Sequence, residues 1–241
     1  MKTSWRKSTN KRKFSVQISC AMGTDIILQF LKKLSRNNNR EWFEKNKEHY
    51  WLAKSEFEKM VFRIHEKLIP LDPSLEGLDP KKFIFRIYRD VRFSKDKRPY
   101  KTNMGAGISP TGKGLGQPGY YFHLEPGNKS FVAGGLFMPA PDLLAKVRQE
   151  IDYNGKALEK IFQLKAFKKY YPGFWEEDTL KTAPKGYPKD HPLLPWLKLK
   201  SFIVTHEFKD KEVQSRDFLK NAMGGYSAVK PLLHFLRTAL D

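Results

Sequence analysis

Three apolar stretches in the middle of the chain follow one another with too few residues between them for a helix. They are MGAGIS (104–109), GYYFHLEP (119–126) and SFVAGGLFMP (130–139), and each is bounded by Gly, Pro or Asn. Parallel strands need a crossover of about a dozen residues or more, whereas antiparallel strands can be joined by short loops. The spacing therefore predicts antiparallel strands in this part of the chain.

Two further segments favour strand, because aromatic and β-branched residues are frequent in them. They are KFIFRIYRDVRF (82–93) and LKLKSFIVTHEF (197–208). Apolar residues recur at helical spacing before residue 70, again from residue 141, and near the C terminus, where Gly224 and Gly225 interrupt the pattern. This order predicts an α+β fold, with an antiparallel sheet of about five strands flanked by N-terminal and C-terminal helices.

Positive charge runs through the whole chain of 241 residues, whose formal net charge is +19. Residues 1–24 carry six Lys or Arg and no acid, and subtracting those six leaves +13 for the rest. We therefore expect a basic extension over residues 1–23 and a single α+β domain over 24–241. The extension is open to three interpretations: a disordered tail, an over-called start with Met22 as initiator, or a targeting or nucleic-acid-binding arm.

Several classes of protein are disfavoured by composition. No run approaches eighteen apolar residues, so we expect no membrane partner. The single cysteine, Cys20, excludes an internal disulfide and a cysteine-based zinc site, and it fits a cytoplasmic location. The phosphate-loop, G-x-S-x-G and H-E-x-x-H motifs are absent, so the sequence identifies no cofactor and predicts no metal ligand.

The segment RIYRDVRFSKDKRPYK (86–101) holds seven cations and two acids. As a strand, it would place Arg89 on an apolar face that also includes Phe93. Arg86 and Arg92 would then stand about 20 Å apart at roughly 3.3 Å per residue, too far to hold one small anion unless the strand bends. Arg89 would need either a bulge or a buried acidic partner.

Two interpretations of this segment stay open. In one, the arginines and acids form an ion-pair network that fastens the sheet to the helices. In the other, they form an anion site, because guanidinium groups match the geometry of phosphate and carboxylate. The candidate ligand-binding residues are Arg86, Arg89, Arg92, Lys97, Tyr100 and Lys101. The ligand would be a phosphate-bearing small molecule or a nucleotide.

A second candidate group lies on the GYYFHLEP strand, where Tyr121, His123 and Glu125 share one face. If this strand lies beside the arginine segment, Asp90 joins them, and Asp90, His123 and Glu125 become candidates for proton transfer. The alternative is a hydrogen-bonded structural histidine. The glycine-rich residues 112–119 predict a mobile or ligand-binding loop, and Gly134-Gly135 inside a strand indicates close approach of backbone or ligand.

The arginine segment fits R-x-x-R-D-x-R-F-S-x-x-K-x-P-Y-K. The fixed positions are Arg86, Arg89, Asp90, Arg92, Phe93, Ser94, Lys97, Pro99, Tyr100 and Lys101. This resembles the hallmark of an uncharacterised, mainly bacterial family of similar length, catalogued as a domain of unknown function. NREWFEKNK and GYYFHLEPG are also similar to it, so the resemblance runs from about Phe30 to the C terminus. It implies membership and no activity.

Three classes of function follow from these patterns. The favoured hypothesis is binding, with or without turnover, of a phosphate-bearing molecule at the arginine segment. The second is a nucleic-acid-binding module, which the excess of positive charge favours. The third is a scaffold or partner-binding protein in which the segment is an internal ion-pair network.

Overall fold

The computed structural model describes residues 20–113 and 116–241. Most of the predicted basic extension therefore lies outside the described residues. Three helices open the described chain: α1 (Cys20–Arg36), α2 (Arg40–Lys45) and α3 (Lys47–Leu68). The Asn39 side chain caps α2 by accepting a hydrogen bond of 2.9 Å from the Trp42 N–H.

Four strands form the sheet, in the order β1-β2-β3-β4 with every neighbouring pair antiparallel. They are β1 (Met104–Ile108), β2 (Gly119–Leu124), β3 (Ser130–Leu136) and β4 (Phe202–Phe208). The predicted α+β class, with an antiparallel sheet flanked by helices, is confirmed. The strand count of four is one below the predicted number.

The missing strand is the arginine segment, and its prediction as a regular strand is wrong. Residues Pro80–Phe83 form a 3-10 helix, and only two isolated bridges follow, Ile84 with Ala106 and Tyr88 with Tyr100. Pairing ends where the Arg89 N–H donates to the Pro99 carbonyl at 2.9 Å. Proline has no N–H to return, so a regular ladder cannot continue past this point.

Five helices lie in the second half of the chain: α4 (Pro141–Gln163), α5 (Lys165–Tyr170), α6 (Leu194–Leu197), α7 (Asp210–Val213) and α8 (Phe218–Thr238). The predicted interruption of α8 at Gly224 and Gly225 is wrong. The Tyr171 hydroxyl donates to the Gly225 carbonyl at 2.8 Å and holds that turn within the helix. None of the helices over the described residues has both the length and the apolar character needed to cross a bilayer.

The two faces of the sheet have different neighbours. On one face, Phe122 of β2 stacks on Phe57 of α3 at 5.5 Å between ring centroids. On the same face α8 approaches β3 closely, since a Cβ at Gly134 would lie 2.7 Å from a methyl of Val229. The buried residues of the helices and of this face form one hydrophobic cluster. The opposite face is left free for a site.

A charged pair ties α8 to the loop after α3. Arg237 donates two hydrogen bonds to the Asp72 carboxylate, at 3.1 and 2.6 Å, and Asp72 is only 5% exposed. Burial alone raises the pKa of Asp72, but hydrogen bonds from Arg237 and Ser74 outweigh burial and lower the pKa below its usual value. The carboxylate therefore stays ionised at neutral pH.

We expect Arg237→Leu to lower the free energy of unfolding by roughly 3 kcal/mol, because it leaves a buried carboxylate without its cation. Urea denaturation at pH 7 would measure this loss. The double variant Asp72→Asn/Arg237→Leu should recover much of it, since the unpaired charge is gone. An equal loss in both variants would contradict the assignment.

The same pair predicts a pH dependence. Because the folded-state pKa of Asp72 lies below the unfolded value of 3.8, its stabilisation is present above about pH 4 and is lost as the pH falls below it. The stability difference between wild type and Asp72→Asn should therefore shrink between about pH 4 and pH 2. A difference that stayed constant over this range would contradict the lowered pKa.

Candidate functional site

A cavity of about 470 Å³ opens on the sheet face opposite the helices. We call it the sheet pocket. Its lining comes from all four strands and from the segments that fold over them. The lining residues are Phe85, Lys101, Gly107, Lys113, Gln117, Gly119, Tyr120, Tyr121, His123, Phe131, Ala133, Gly134, Gly135, Phe137, Trp175, Ile203 and Thr205.

The floor of the sheet pocket combines Tyr121 with three smaller residues. Gly107, Tyr121, Ala133 and Thr205 are cross-strand partners and share the open face. Gly107 is required there, because a Cβ at this position would lie 2.3 Å from the Lys113 carbonyl oxygen. The turn that follows β1 can therefore fold back against the strand, which places Lys113 at the sheet pocket.

Aromatic rings form the walls. Phe131 lies on β3, and Phe137 directly follows that strand. The ring centroids of Phe137 and Trp175 are 6.4 Å apart. The backbone N–H of Trp175 donates to the Ile203 carbonyl at 2.8 Å, and this hydrogen bond fixes the loop that carries Trp175 to β4. Phe85 is positioned by a hydrogen bond of 3.0 Å from its N–H to the Gly105 carbonyl. These rings offer flat apolar surfaces to a ligand.

Two lysines bring positive charge to this apolar cavity. The ammonium nitrogens of Lys101 and Lys113 lie 5.3 and 5.7 Å from the centroid of the Phe85 ring. Within residues 20–113 and 116–241, neither ammonium group has an acidic partner. Burial lowers the pKa of Lys101, and the charges of Arg86 and Lys113 lower it further. An anion bound here would relieve that repulsion.

A hydrogen-bonded chain of three side chains runs along β2. The Tyr121 hydroxyl lies 3.2 Å from His123 Nδ1, and His123 Nε2 lies 3.1 Å from Glu125 Oε2. Since a carboxylate only accepts, Nε2 carries the proton and Nδ1 accepts from the hydroxyl. Phe131 stacks on the buried imidazole at 4.5 Å. These contacts fix the orientation of the phenol and of the imidazole.

The acid and the phenol of this chain have shifted pKa values. Burial raises the pKa of Glu125, but hydrogen bonds from His123 and from Thr102 reverse this and lower the pKa below its usual value. Burial, with a smaller contribution from the Glu125 charge, raises the pKa of Tyr121 to about 12. At neutral pH the phenol therefore keeps its proton and acts as a hydrogen-bond donor.

Three arginines of the segment, Arg89, Arg92 and Arg98, are paired with acids within it. Arg89 donates to Asp96 at 2.7 Å and to the Arg98 carbonyl at 3.2 Å. Arg92 donates two hydrogen bonds to exposed Asp90, at 3.0 and 2.7 Å. We call residues 90–98 the motif loop. Asp90 therefore contacts Arg92 and does not join His123 and Glu125.

The other candidate residues of the segment have separate surroundings. Arg86 is exposed, and the Lys97 ammonium donates to the Val91 carbonyl at 3.1 Å. The Tyr100 ring is buried and stacks on Phe43 at 4.0 Å. Of the candidate ligand-binding residues, Lys101 alone lines the sheet pocket.

A second cavity, of about 350 Å³, adjoins the sheet pocket. Lys101 and Tyr121 line both cavities. The second cavity also reaches the base of the motif loop at Arg89 and Arg98, and it includes Asn103. The structure thus connects the arginine segment to the sheet pocket through shared residues, although Arg86, Arg89 and Arg92 do not converge on one point.

Sequence reasoning missed several residues of the site. Phe93 was predicted on an apolar face but is 96% exposed, because the chain turns away from the sheet after Arg89. Lys113 and Trp175 were not predicted. A signal for Lys113 was present in the glycine-rich residues 112–119, of which 114 and 115 lie outside the described residues. Among the residues that are described, no group of three or more His, Cys, Asp or Glu could hold a metal ion.

Comparison with known proteins identifies the family. A family model described as a conserved hypothetical protein matches residues 26–235. The chain belongs to the DUF2461 family. The match covers the helices that pack on the sheet, all four strands and the arginine segment. Comparisons with curated proteins and with solved structures gave no significant match.

Arg89 and Arg92 should differ in their effect on the motif loop. Arg89→Ala removes the ion pair with Asp96. We therefore expect faster hydrogen exchange at the Lys101 amide, which donates to the Ile87 carbonyl at 2.8 Å. Arg92→Ala breaks only an exposed pair and should leave this exchange rate unchanged. Equal exchange rates in Arg89→Ala and wild type would show that the ion pair of Arg89 with Asp96 does not stabilise the motif loop.

Proposed function

We propose that the protein binds a small anion that carries a flat ring, such as a nucleotide or another phosphate-bearing aromatic molecule, in the sheet pocket. The observation that carries this proposal is the pair of lysines without acidic partners beside an aromatic cavity. A partly buried cation without a counter-charge, such as Lys101, is costly, and an anionic ligand would supply the missing charge there and could also contact the exposed Lys113.

The size and lining of the sheet pocket fit this ligand class. A volume of about 470 Å³ lies within the usual range of small-molecule sites, roughly 300–1,000 Å³. The ring would lie between Phe131, Phe137 and Trp175, and the phosphate would contact Lys101 and Lys113. The second cavity would accept a longer substituent, with Arg89 and Tyr100 on its wall.

Turnover of the ligand would use the chain from Tyr121 to Glu125. The Tyr121 hydroxyl, which donates to His123, would accept a hydrogen bond from the ligand, and Glu125 would stabilise the imidazolium if His123 took up a proton from it. The proposal assigns Asp90, Arg92 and Lys97 to the structure of the motif loop and gives Arg86 an electrostatic role near Lys101. A cytoplasmic location, with its nucleotide supply, belongs to the same proposal.

Thermal shift with AMP, ATP, phenyl phosphate and inorganic phosphate would test the binding. A ligand at 100-fold its Kd stabilises by about 2.7 kcal/mol, which raises Tm by roughly 5–10 °C for a chain of this size. Lys101→Gln/Lys113→Gln should abolish the shift. The matched control Lys165→Gln/Lys189→Gln also removes two exposed charges, but outside the pocket, and should keep the shift.

The aromatic phosphates should shift Tm more than inorganic phosphate, because only they use the ring surfaces. Absence of any shift in wild type would contradict the proposal. An equal loss of shift in both double variants would reduce the effect to net charge and would also contradict it. Without ligand, Lys101→Gln/Lys113→Gln should keep its Tm within about 3 °C of wild type. The double substitution removes the repulsion between the two lysines, and this offsets the loss of their two contacts with the Phe85 ring.

Binding should be accompanied by proton uptake at alkaline pH. Burial and neighbouring cations lower the pKa of Lys101, and an anion beside it raises that pKa again. At alkaline pH a larger fraction of Lys101 is therefore neutral in the free protein than for an ordinary lysine, and that fraction becomes protonated on binding. Calorimetry in buffers of different ionisation enthalpy would measure the uptake, which should disappear in Lys101→Gln. Proton release, or uptake unaffected by that substitution, would contradict the assignment.

A further inference from the structure

The motif loop is fastened at its base and projects its middle into solvent. Its base is closed by the Arg89 N–H, which donates to the Pro99 carbonyl, and by the ion pair of Arg89 with Asp96 at 2.7 Å. A further hydrogen bond joins the Ser94 N–H to the Val91 carbonyl at 3.4 Å. The loop therefore presents its central side chains from a fixed support.

Phe93 lies at the centre of the motif loop and is 96% exposed. The guanidinium carbon of Arg92 lies 5.8 Å from the centroid of the Phe93 ring. Burying a Phe side chain normally contributes about 1.5–3 kcal/mol, and this chain makes no use of that contribution at Phe93. With respect to residues 20–113 and 116–241, the ring is therefore open to a partner.

The charges of the motif loop point to an anionic partner. The loop contains four cations and two acids. Arg92 holds Asp90, while Arg89 and Arg98 share Asp96. Lys95 is exposed and, within the described residues, has no acidic partner. Because the acids are neutralised by neighbouring arginines, positive potential dominates around Phe93.

Two further exposed rings are connected through buried rings between the base of the motif loop and α3. Tyr88, 46% exposed, precedes the motif loop, and Trp51, 53% exposed, lies on α3. They are linked through buried rings, since Phe43 lies 6.0 Å from Tyr88 and 5.0 Å from Tyr50, which lies 5.1 Å from Trp51. Tyr88 and Trp51 thus each pack against a buried ring and remain about half exposed.

We propose that the surface of Trp51, Tyr88 and Phe93 binds single-stranded nucleic acid. Exposed rings suit stacking on unpaired bases, and the cations interleaved with them in the motif loop suit the phosphates between the bases. A duplex offers no free base faces to these rings. An anionic bilayer would match the charge and Phe93, but it would leave the partial exposure of Tyr88 and Trp51 without a role. This proposal does not depend on the sheet pocket.

Fluorescence anisotropy with the full chain and a labelled 20-nucleotide dT oligomer would test it. Phe93→Ala should weaken binding roughly 5- to 150-fold, the equivalent of about 1–3 kcal/mol for one stacked base. The slope of log affinity against log salt should not change. Lys95→Gln should instead reduce that slope by about 0.7, as expected for one lost contact to a single strand.

Tyr153→Ala is the matched control, because Tyr153 is 73% exposed on α4 and belongs to neither site. It should bind the oligomer as wild type does. Equal affinity of Phe93→Ala and wild type would overturn the proposal, and so would equal affinity for duplex and single strand. Binding of phosphatidylserine vesicles that depends on Phe93, without binding of the oligomer, would overturn it in favour of a membrane surface.

Discussion

Helix packing against one face of the sheet, and not the other, is the constraint on which the rest of the structure depends. Phe122 and Val132 point towards α3 and α8, so their cross-strand neighbours must suit a hydrophobic core. The alternate residues are released from that requirement. Gly107 and Ala133 can therefore be small, and the space above them becomes a cavity rather than a packing defect, because rings and lysines from distant segments enclose it.

The arginine segment divides its cations between two uses. Arg89, Arg92 and Arg98 are matched to acids two to seven residues away, so they shape the motif loop without help from the rest of the fold. Lys101 is the last residue of the same segment, but it lines an apolar cavity and lies close to the cation Lys113. Three of its arginines thus pair inside the segment rather than fastening the sheet to the helices, while its last lysine, Lys101, has cations as its charged neighbours.

The sequence was informative where a periodicity is fixed by backbone geometry. The pleat places Tyr121, His123 and Glu125 on one face whatever surrounds them, and short spacings exclude parallel strands between residues 104 and 139. The prediction of a fifth strand was wrong because the composition favours strand as far as Phe93, whereas Pro99 on the opposing segment ends the hydrogen-bond ladder. Trp175 reaches the site only through tertiary packing, and no local pattern carries that information, whereas the glycine-rich residues 112–119 gave a partial signal for Lys113.

The connection between β3 and β4 has a consequence for how the protein folds. These strands are neighbours in the sheet, yet 65 residues, including α4 to α6, separate Leu136 from Phe202. Strands β1 to β3 are joined by short loops and can pair early, because closing a short loop costs little entropy. The last strand must wait for the intervening chain to become compact. A folding intermediate would therefore hold Tyr121, His123 and Glu125 in place before Ile203 and Thr205 arrive, with the β3 edge exposed to other chains until β4 covers it.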